Sequence, residues 1–462
     1  MSCVQPFLIM GNHLKSASGF HALPSVSALP GHQGELSILT TDDKRTRLWL
    51  TSPHFYPTYG GAQNRYRSYI PGFLQRGLDV HIMTGTPQVA ERSEADKDAN
   101  WYQAEPGSWL PQTTLDGAPL DRIRLPDSKK MSRTQIYYDA VVEVCQRPYN
   151  GPVVAQLLTN MRPEAAPWLR RLRQNGVATL YSVSQFPTWP QKPLKRILRR
   201  PGYRRVFNEF DALVTNSEAI QEFLREIGVT TRIEYIPNGV NLQRFHPAQS
   251  EQERQAGLAL RERFSIPADH QVIVVVGAVM PRKAPDEIIK AWRLLLPRLP
   301  NTHLLFVGPR SDQHDPKLVK FGGKITDLIE TSGAGDKIHF AGVVDDVESY
   351  LRASDIFVLA SKREGTPNSV LEAMASGLPA LVTPYIGISP GIGQAGKHYQ
   401  LVNRDPETIA AALASLLQSP ELRATQGESG RRYVVDNADQ NLSLDRYVEL
   451  YEELGVMAAR RR

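Results

Sequence analysis

The sequence has little cysteine: Cys3 and Cys145 are the only two thiols among 462 residues. A secreted chain of this size usually carries more, and two thiols are too few for the four-cysteine cage of a structural zinc site. We therefore expect the protein to work in a reducing, cytoplasmic compartment.

Long apolar runs are missing as well. No stretch approaches the roughly 18 apolar residues that a membrane-spanning helix needs. The N-terminus lacks a basic segment followed by an apolar run, so a signal peptide is not expected. The first strand is not followed by Gly-x-Gly-x-x-Gly, which argues against a dinucleotide-dependent oxidoreductase.

Positive charge is concentrated in one part of the chain. The net charge is +6, but residues 151–210 contain eleven basic and only two acidic residues. Within them, residues 191–205 place Leu194, Ile197 and Leu198 at the helical spacing i, i+3, i+4 among cations. Such a segment predicts that the protein contacts the anionic inner face of a membrane. The acceptor would then be lipid-linked. A solvated helix face, or a site for an anionic soluble acceptor, is the alternative. No aromatic platform accompanies the charge, so nucleic acid is not expected as a partner.

Apolar strands alternate with helical segments along most of the chain. A strand at residues 47–51, a glycine turn, a helix through Phe73 and a strand at residues 79–83 form a βαβ unit, which implies a parallel sheet. The alternation resumes after a turn-rich break at residues 237–247. The pattern predicts an α/β fold of two doubly wound, Rossmann-like domains that face each other across a cleft, where such sheets bind ligands.

The expected domain organisation follows from this pattern. Residues 1–45 lack periodicity and are interpreted as a flexible leader. Residues 46–238 would form the first domain and residues 239–443 the second. The final helix, within residues 444–462, is expected to cross back to the first domain. Residues 87–135, rich in charge and proline, are expected to form a long excursion rather than core.

The segment from Asp355 to Pro379 carries the most chemical information. A polar loop with Glu364 precedes a helix that opens around Ser369, and Gly377 is placed to end it. Because a helix N-terminus attracts phosphate, we expect the Ser369 and Val370 amides to face the cleft. Glu372, interpreted as lying in the first turn, would accept two hydrogen bonds from a ribose diol. Alternatively, Glu372 only complements the helix dipole and Glu364 is a solvated loop residue.

This segment resembles the family 4 retaining glycosyltransferases (glycosyl transferases group 1), whose hallmark is Glu, seven residues, Glu. Glu364 and Glu372 have that spacing, and the surrounding EG, PN, LEAMA and GLP residues match as well. The likeness extends over most of residues 47–455 and includes Gly60-Gly61 and the segment IPNGVN at residues 236–241. It implies the GT-B fold, in which two Rossmann-like domains face each other and the C-terminal one holds a nucleotide sugar.

The resemblance also implies roles for individual residues. Glu372 would bind the ribose of the donor, and Glu364 the transferred sugar near its reacting carbon. The diphosphate would lie against the start of the helix, and Gly61 would allow its close approach because no side chain is in the way. The other residues expected to bind the donor are Arg282, Lys283, Val344, Asn368, Ser369 and Val370. Of these, Val344 would contact the base.

The sequence departs from the family pattern at two places. Lys283 occupies the position of a family lysine, but Ala278 replaces the usual arginine, so Arg282 is the candidate substitute. Many members also carry a histidine that contacts the sugar, whereas this chain has Ser184 and Gln185 there. Both could donate a hydrogen bond to a sugar hydroxyl. The expected catalytic residues are Glu364 and Lys283.

The sequence thus predicts a metal-independent, retaining glycosyltransferase in glycan, polysaccharide or glycolipid synthesis. It would transfer a sugar from a UDP- or GDP-sugar to a saccharide or lipid-linked acceptor. No metal or other cofactor is expected, because a basic side chain and helix amides can offset the charge of the leaving diphosphate. Ala278 and the missing histidine keep a non-catalytic, nucleotide-sugar-binding scaffold subunit open. A GT-B phosphorylase or a sugar-nucleotide epimerase is a further alternative.

Overall fold

The computed structural model describes most of the chain after the predicted leader. The described residues are 45–56, 60–87, 100–127, 131–159, 161–186, 193–310 and 316–461. The predicted leader, residues 1–45, lies outside them apart from Arg45.

The first half of the described chain forms one eight-stranded sheet. Its strands are β1 (Arg47–Ser52), β2 (Asp79–Gly85), β3 (Thr113–Leu115), β4 (Ala118–Ile123), β5 (Val153–Leu157), β6 (Val177–Val183), β7 (Ala212–Thr215) and β8 (Arg232–Tyr235). Their spatial order is β3-β4-β2-β1-β5-β6-β7-β8. All neighbours are parallel except β3 and β4. The chain reverses its direction of winding between β1 and β5.

The second half forms a six-stranded, fully parallel sheet. Its strands are β9 (Gln271–Val276), β10 (Thr302–Val307), β11 (Ile338–Gly342), β12 (Ile356–Leu359), β13 (Ala380–Val382) and β14 (Gln400–Leu401). They lie in the order β11-β10-β9-β12-β13-β14. The winding reverses between β9 and β12, and in sheets of this kind ligands bind beyond the carboxyl ends of the strands at that point.

Helices cover both faces of each sheet. They are α1 (Gly61–Gln75), α2 (Met131–Cys145), α3 (Ala166–Gln174), α4 (Pro193–Phe207), α5 (Glu218–Glu226), α6 (Glu251–Arg263), α7 (Pro285–Leu295), α8 (Val319–Glu330), α9 (Val347–Arg352), α10 (Asn368–Ala375), α11 (Pro406–Gln418), α12 (Pro420–Asn437) and α13 (Gln440–Ala459). None of these helices is both long and apolar enough to cross a bilayer.

Both sheets are buried on their two faces, which explains the near-continuous apolar runs of their strands. In β1, Leu48 and Leu50 join one core cluster while Trp49 joins the cluster on the opposite face. In β9, Val274 and Ile273 divide in the same way. The predicted fold class, two Rossmann-like α/β halves, is confirmed.

The prediction that residues 87–135 form an excursion outside the core is wrong for residues 113–123. Residues 113–123 form β3 and β4, which extend the first sheet through pairing with β2. Leu120 and Ile123 are buried in the core. Charged side chains interrupt the apolar alternation of these residues, so the sequence pattern does not indicate the strands, which form through pairing with β2 and burial of Leu120 and Ile123.

Two stretches of backbone run between the halves side by side. The Val240 amide donates to Ala438 O at 2.8 Å, and the Gln440 amide donates to Val240 O at 3.0 Å. A Cβ atom at Gly239 would collide with the Cα of Gln440, so this position requires glycine. The two segments that connect the halves are therefore held together by direct contact between their backbones.

The final helix packs on the first sheet, as the sequence predicts, but begins at Gln440 rather than at Leu444. Tyr447 and Tyr451 form aromatic contacts with Phe73 of α1. The Tyr447 hydroxyl also lies 2.7 Å from that of Tyr66. The C-terminus thus completes the core of the half in which the chain starts.

Candidate active site

The winding of the second sheet brings two loops together. The loop after β9, residues 277–284, and the loop after β12, residues 360–367, leave neighbouring strands at the point where the winding reverses. The Lys362 amide donates to Arg282 O at 2.8 Å and joins them. Residues about 80 positions apart in sequence therefore share one edge of the sheet.

Three charged side chains meet between these loops. Glu364 Oε1 lies 2.5 Å from Arg282 Nη1 and 3.0 Å from Lys283 Nζ. The Glu364 side chain is only 11% exposed. Burial raises the pKa of its carboxyl, but Lys283 and Arg282 outweigh burial and hold the pKa below its ordinary value. Glu364 is thus an ionised, buried carboxylate and not a solvated loop residue.

Gly277 makes room for the lysine of this cluster. It adopts φ +142°, and a Cβ atom there would lie 3.0 Å from Lys283 Cε and 3.3 Å from Nζ. The lysine therefore folds back over the end of β9 to reach Glu364. Arg282, the predicted substitute for an arginine at Ala278, also donates to Arg363 O at 2.9 Å.

The helix that follows starts differently from the expectation. Pro367 is the N-cap, and the Val370 amide donates back to Pro367 O at 3.2 Å. Of the two amides predicted to hold a phosphate, that of Val370 is therefore already engaged. Glu372 lies one residue beyond the first turn of α10, since the helix begins at Asn368. Gly377 follows the helix at φ +79°, as predicted.

Glu372 has a different electrostatic environment from Glu364. Burial of its carboxyl raises its pKa to about 7, and Glu348 adds to the rise while Arg244 and Lys283 oppose it. Arg244 is itself paired with Glu348 at 2.7 Å. Near neutral pH, Glu372 therefore titrates and Glu364 does not.

The first half contributes residues to the same cleft. The backbone of Ser184 touches Gly365 closely enough that a Cβ atom on Gly365 would lie 2.6 Å from Ser184 O. Gln185 is exposed next to it. Gly61 opens α1, and a Cβ atom there would meet nothing within 4 Å. The space beside Gly61 is thus open, as close approach of a ligand requires.

Asn368 connects the halves rather than standing free. Its side chain accepts from Asn238 Nδ2 at 2.5 Å, and its own Nδ2 lies 3.4 Å from Gly61 O. Asn238 Oδ1 in turn accepts from Arg65 Nη1, and Arg65 Nη2 donates to Ser184 Oγ at 2.7 Å.

The sequence interpretation gave no role to Arg65 or Asn238. A signal was present: Arg65 shares one helical face with Tyr69 and Phe73 at i, i+4 and i+8, and a charged residue on an apolar face needs a reason.

Val344 lies in the loop that follows β11. It is partly buried against the core of the second sheet, whereas the neighbouring Val343 is 55% exposed. The contact of Val344 with a base stays a prediction.

Several cations of the basic residues 151–210 are paired with acids or hydrogen-bonded, so less of their charge is unpaired than the composition indicates. Arg171 pairs with Asp139 at 3.0 Å and Arg173 with Asp211 at 3.1 Å, two acids outside the range that was counted. Arg200 donates to Ile227 O at 3.0 Å and so caps α5. The helix predicted within residues 191–205 exists as α4, and Arg204 and Arg205 at its end are exposed.

Comparison with known sequences gives matches along most of the chain. The profile described as "Glycosyl transferases group 1" matches residues 259–433, and that of the "Glycosyl transferase 4-like domain" matches residues 60–239. The putative glycosyltransferase EpsD of Bacillus subtilis is 26% identical over 79% of this chain and 86% of its own length. The D-inositol 3-phosphate glycosyltransferase of Salinispora arenicola is 31% identical over 57% of this chain. That alignment spans 58% of the relative's length.

Solved structures share the fold. Sucrose-phosphate synthase from Thermosynechococcus elongatus superposes with a TM-score of 0.69 at 20% identity, over 89% of this chain and all of the other. HepE from Anabaena, in complex with UDP and glucose, superposes with a TM-score of 0.64 at 14% identity, over 88% and 99%. The predicted GT-B fold is confirmed.

The contact at Gly365 can be tested by one methyl group. Gly365→Ala places a Cβ atom against Ser184 O and, at 2.7 Å, Asn216 Oδ1. We expect a loss of about 1–3 kcal/mol in the free energy of unfolding, because neither group can move freely. Gly323→Ala, in α8 with open space around it, is the control and should gain up to about 1 kcal/mol. Equal stabilities of the two variants in urea denaturation would contradict the close contact.

Proposed function

The chain belongs to the glycosyl transferases group 1 family, and we propose that it is a retaining glycosyltransferase that uses a UDP- or GDP-sugar. The acceptor is a saccharide or a lipid-linked saccharide, in the synthesis of a polysaccharide, glycan or glycolipid. The observation that carries this proposal is the cluster of Glu364, Arg282 and Lys283 beside the start of α10.

The cluster suits the departure of a nucleoside diphosphate. Two cations within 3.0 Å of one carboxylate oxygen leave a local excess of one positive charge, and the start of α10 adds its dipole. Negative charge develops on the diphosphate as the sugar bond breaks, and fixed cations stabilise it without reorganisation. They take the place of a metal ion, which makes the proposed reaction metal-independent.

Retention of configuration requires the acceptor to approach from the side that the diphosphate leaves. The acceptor hydroxyl forms the new bond to the sugar carbon, and its proton passes to the departing phosphate oxygen. Glu364, held ionised, contacts the sugar and stabilises positive charge near the reacting carbon. Ser184 and Gln185 in the first half would bind sugar hydroxyls.

The donor nucleotide lies along the second half in this proposal. Glu372 accepts hydrogen bonds from the ribose, and Val344 packs against the base. HepE, which has the same fold, holds UDP and glucose, and this supports a UDP-sugar as one of the two candidate donors.

A binding subunit without activity is the second candidate. It is favoured by Ala278 and by Ser184, which stand where the family usually has an arginine and a histidine. The Ser184 hydroxyl is engaged by Arg65 and supplies no base of similar pKa. Turnover of a donor separates the two candidates.

Purified protein should hydrolyse UDP-glucose or GDP-mannose slowly and transfer the sugar when an acceptor is added. Release of UDP or GDP, measured with a coupled assay, is the readout, and the rate should be the same in EDTA. Binding of both donors without any release would favour the inactive subunit, and strong inhibition by EDTA would contradict the metal-free reaction.

Substitution of the two glutamates should change different kinetic constants. Glu372→Ala removes contacts to the nucleotide, so we expect KM for the donor to rise about tenfold or more with a smaller change in kcat. Glu364→Ala removes the carboxylate that stabilises positive charge near the reacting carbon, so kcat should fall at least about 100-fold. Similar effects of both substitutions on kcat and KM would contradict this division of roles.

Donor affinity should depend on pH through Glu372. Its raised pKa of about 7 means that the carboxylate, which accepts hydrogen bonds from a ribose diol, appears as pH rises. We expect up to about tenfold tighter binding of a nucleotide sugar at pH 8 than at pH 6. Titration calorimetry with UDP-glucose or GDP-mannose measures it. Glu372→Gln should flatten the profile, and an unchanged profile would exclude Glu372 as the titrating group.

We propose that the protein acts in the cytoplasm and that α4 contacts the anionic inner face of a membrane. Charge reversal at Lys195, Arg196 and Arg199 should reduce sedimentation with phosphatidylserine vesicles at least about tenfold, because each cation near the surface contributes about 1 kcal/mol. Arg200 is not a suitable site, since it caps α5. Reversal of Arg254, Lys320 and Arg432, three exposed cations of the second half, is the control. Absence of binding by the unmodified protein would contradict the membrane contact.

A further inference from the structure

Arg65 is a buried cation on the inner face of α1. It is only 5% exposed and lies one turn beyond Gly61, at the start of the cleft. Its guanidinium donates to Asn238 through Nη1 and to Ser184 through Nη2, at 2.7 Å in the second case. Its Nε is buried without an acceptor.

The positive charge of Arg65 has no negative partner in the described chain. No carboxylate of the described residues lies within ion-pair distance of it, and both of its hydrogen bonds go to neutral oxygens. Burial opposes its charge, and tyrosine hydroxyls, those of Tyr66, Tyr447 and Tyr69, act against burial so that its pKa is raised. The ring of Tyr66 lies 4.9 Å from its Cζ.

A buried charge without a counter-ion is costly in a folded protein. By contrast, two nearby arginines of the same half are paired with carboxylates, Arg67 with Asp116 at 2.8 Å and Arg76 with Asp445 at 2.7 Å. A binding site for an anion explains why an unpaired cation persists in the cleft.

The hydrogen bonds of Arg65 lead to the second half. Asn238, which Arg65 holds, donates to Thr366 O at 2.8 Å and to Asn368 Oδ1 at 2.5 Å. Thr366 and Asn368 flank the N-cap of α10. Two hydrogen bonds therefore separate the guanidinium from the helix start that faces the cleft.

We propose that Arg65 is a positioning residue for the donor diphosphate, which supplies the missing counter-charge when it binds at the start of α10. The inference rests on the proposed function and adds a cation from the first half to those of the second. Arg282 and Lys283 are both engaged by Glu364, whereas Arg65 is engaged only by neutral groups.

A purely structural role predicts a different outcome. If Arg65 only ties the halves together, its removal destabilises the ligand-free protein. If its charge awaits an anion, removal leaves the ligand-free protein as stable or more stable and weakens binding of the anion.

The experiment compares Arg65→Met, Arg65→Lys and, as a control, Arg76→Met from the exposed end of the same helix. The full chain is titrated with UDP and with GDP by calorimetry, and the unfolding temperature is measured without ligand. We expect Arg65→Met to bind the preferred diphosphate at least tenfold more weakly, with an unfolding temperature equal to or above that of the unmodified protein. The affinity of Arg65→Lys for the diphosphate should lie between those of Arg65→Met and the unmodified protein, and that of Arg76→Met should equal that of the unmodified protein.

Two results would overturn the inference alone: binding by Arg65→Met within twofold of the unmodified protein, or weaker binding accompanied by a lower unfolding temperature in both Arg65 variants. If the unmodified protein binds neither UDP nor GDP, the proposed function fails and the inference fails with it.

Discussion

The double crossing of the backbone is the constraint on which the cleft depends. The segment that leaves the first sheet at Pro237–Val240 is bonded to the segment that returns at residues 438–440. Side chains cannot separate them at Gly239, because the backbone of Gln440 occupies the space of a Cβ atom. The same segment carries Asn238, so the junction is also where the halves exchange polar contacts.

Burial acts on the two glutamates in the same direction but with opposite results. Glu364 has two cations in contact and stays ionised, whereas at Glu372 burial outweighs Arg244 and Lys283, Glu348 adds to the rise, and the pKa is raised to about 7. A carboxylate at a reacting carbon needs a fixed charge, whereas a carboxylate that binds hydroxyl groups needs only hydrogen-bond acceptors. The difference in environment thus agrees with the difference in proposed role.

Cations of both halves lie at the cleft, although the sequence pattern predicted cations for the diphosphate only in the second half. Lys283 and Arg282 come from the loop after β9, and Arg65 comes from α1. Ala278 removes an arginine from the second half, and the hydroxyl of Ser184 replaces a histidine in the first. Arg65 contacts that same hydroxyl, so the departure at Ser184 occurs beside a buried guanidinium.

The sequence by itself determined the alternation of strands and helices, the paired glutamates and the helix between Asn368 and Ala375, because these depend on local periodicity, capping and spacing. It did not determine the hairpin of β3 and β4, in which β4 pairs with β2 and β3 pairs with β4, or the engaged state of Arg200. Nor did spacing show that Glu364 contacts Arg282 and Lys283, since only the parallel order of β9 and β12 makes them neighbours. Arg65 remained without a role for the same reason: its partners Ser184 and Asn238 are 119 and 173 positions away along the chain, and only tertiary packing places them around one charge.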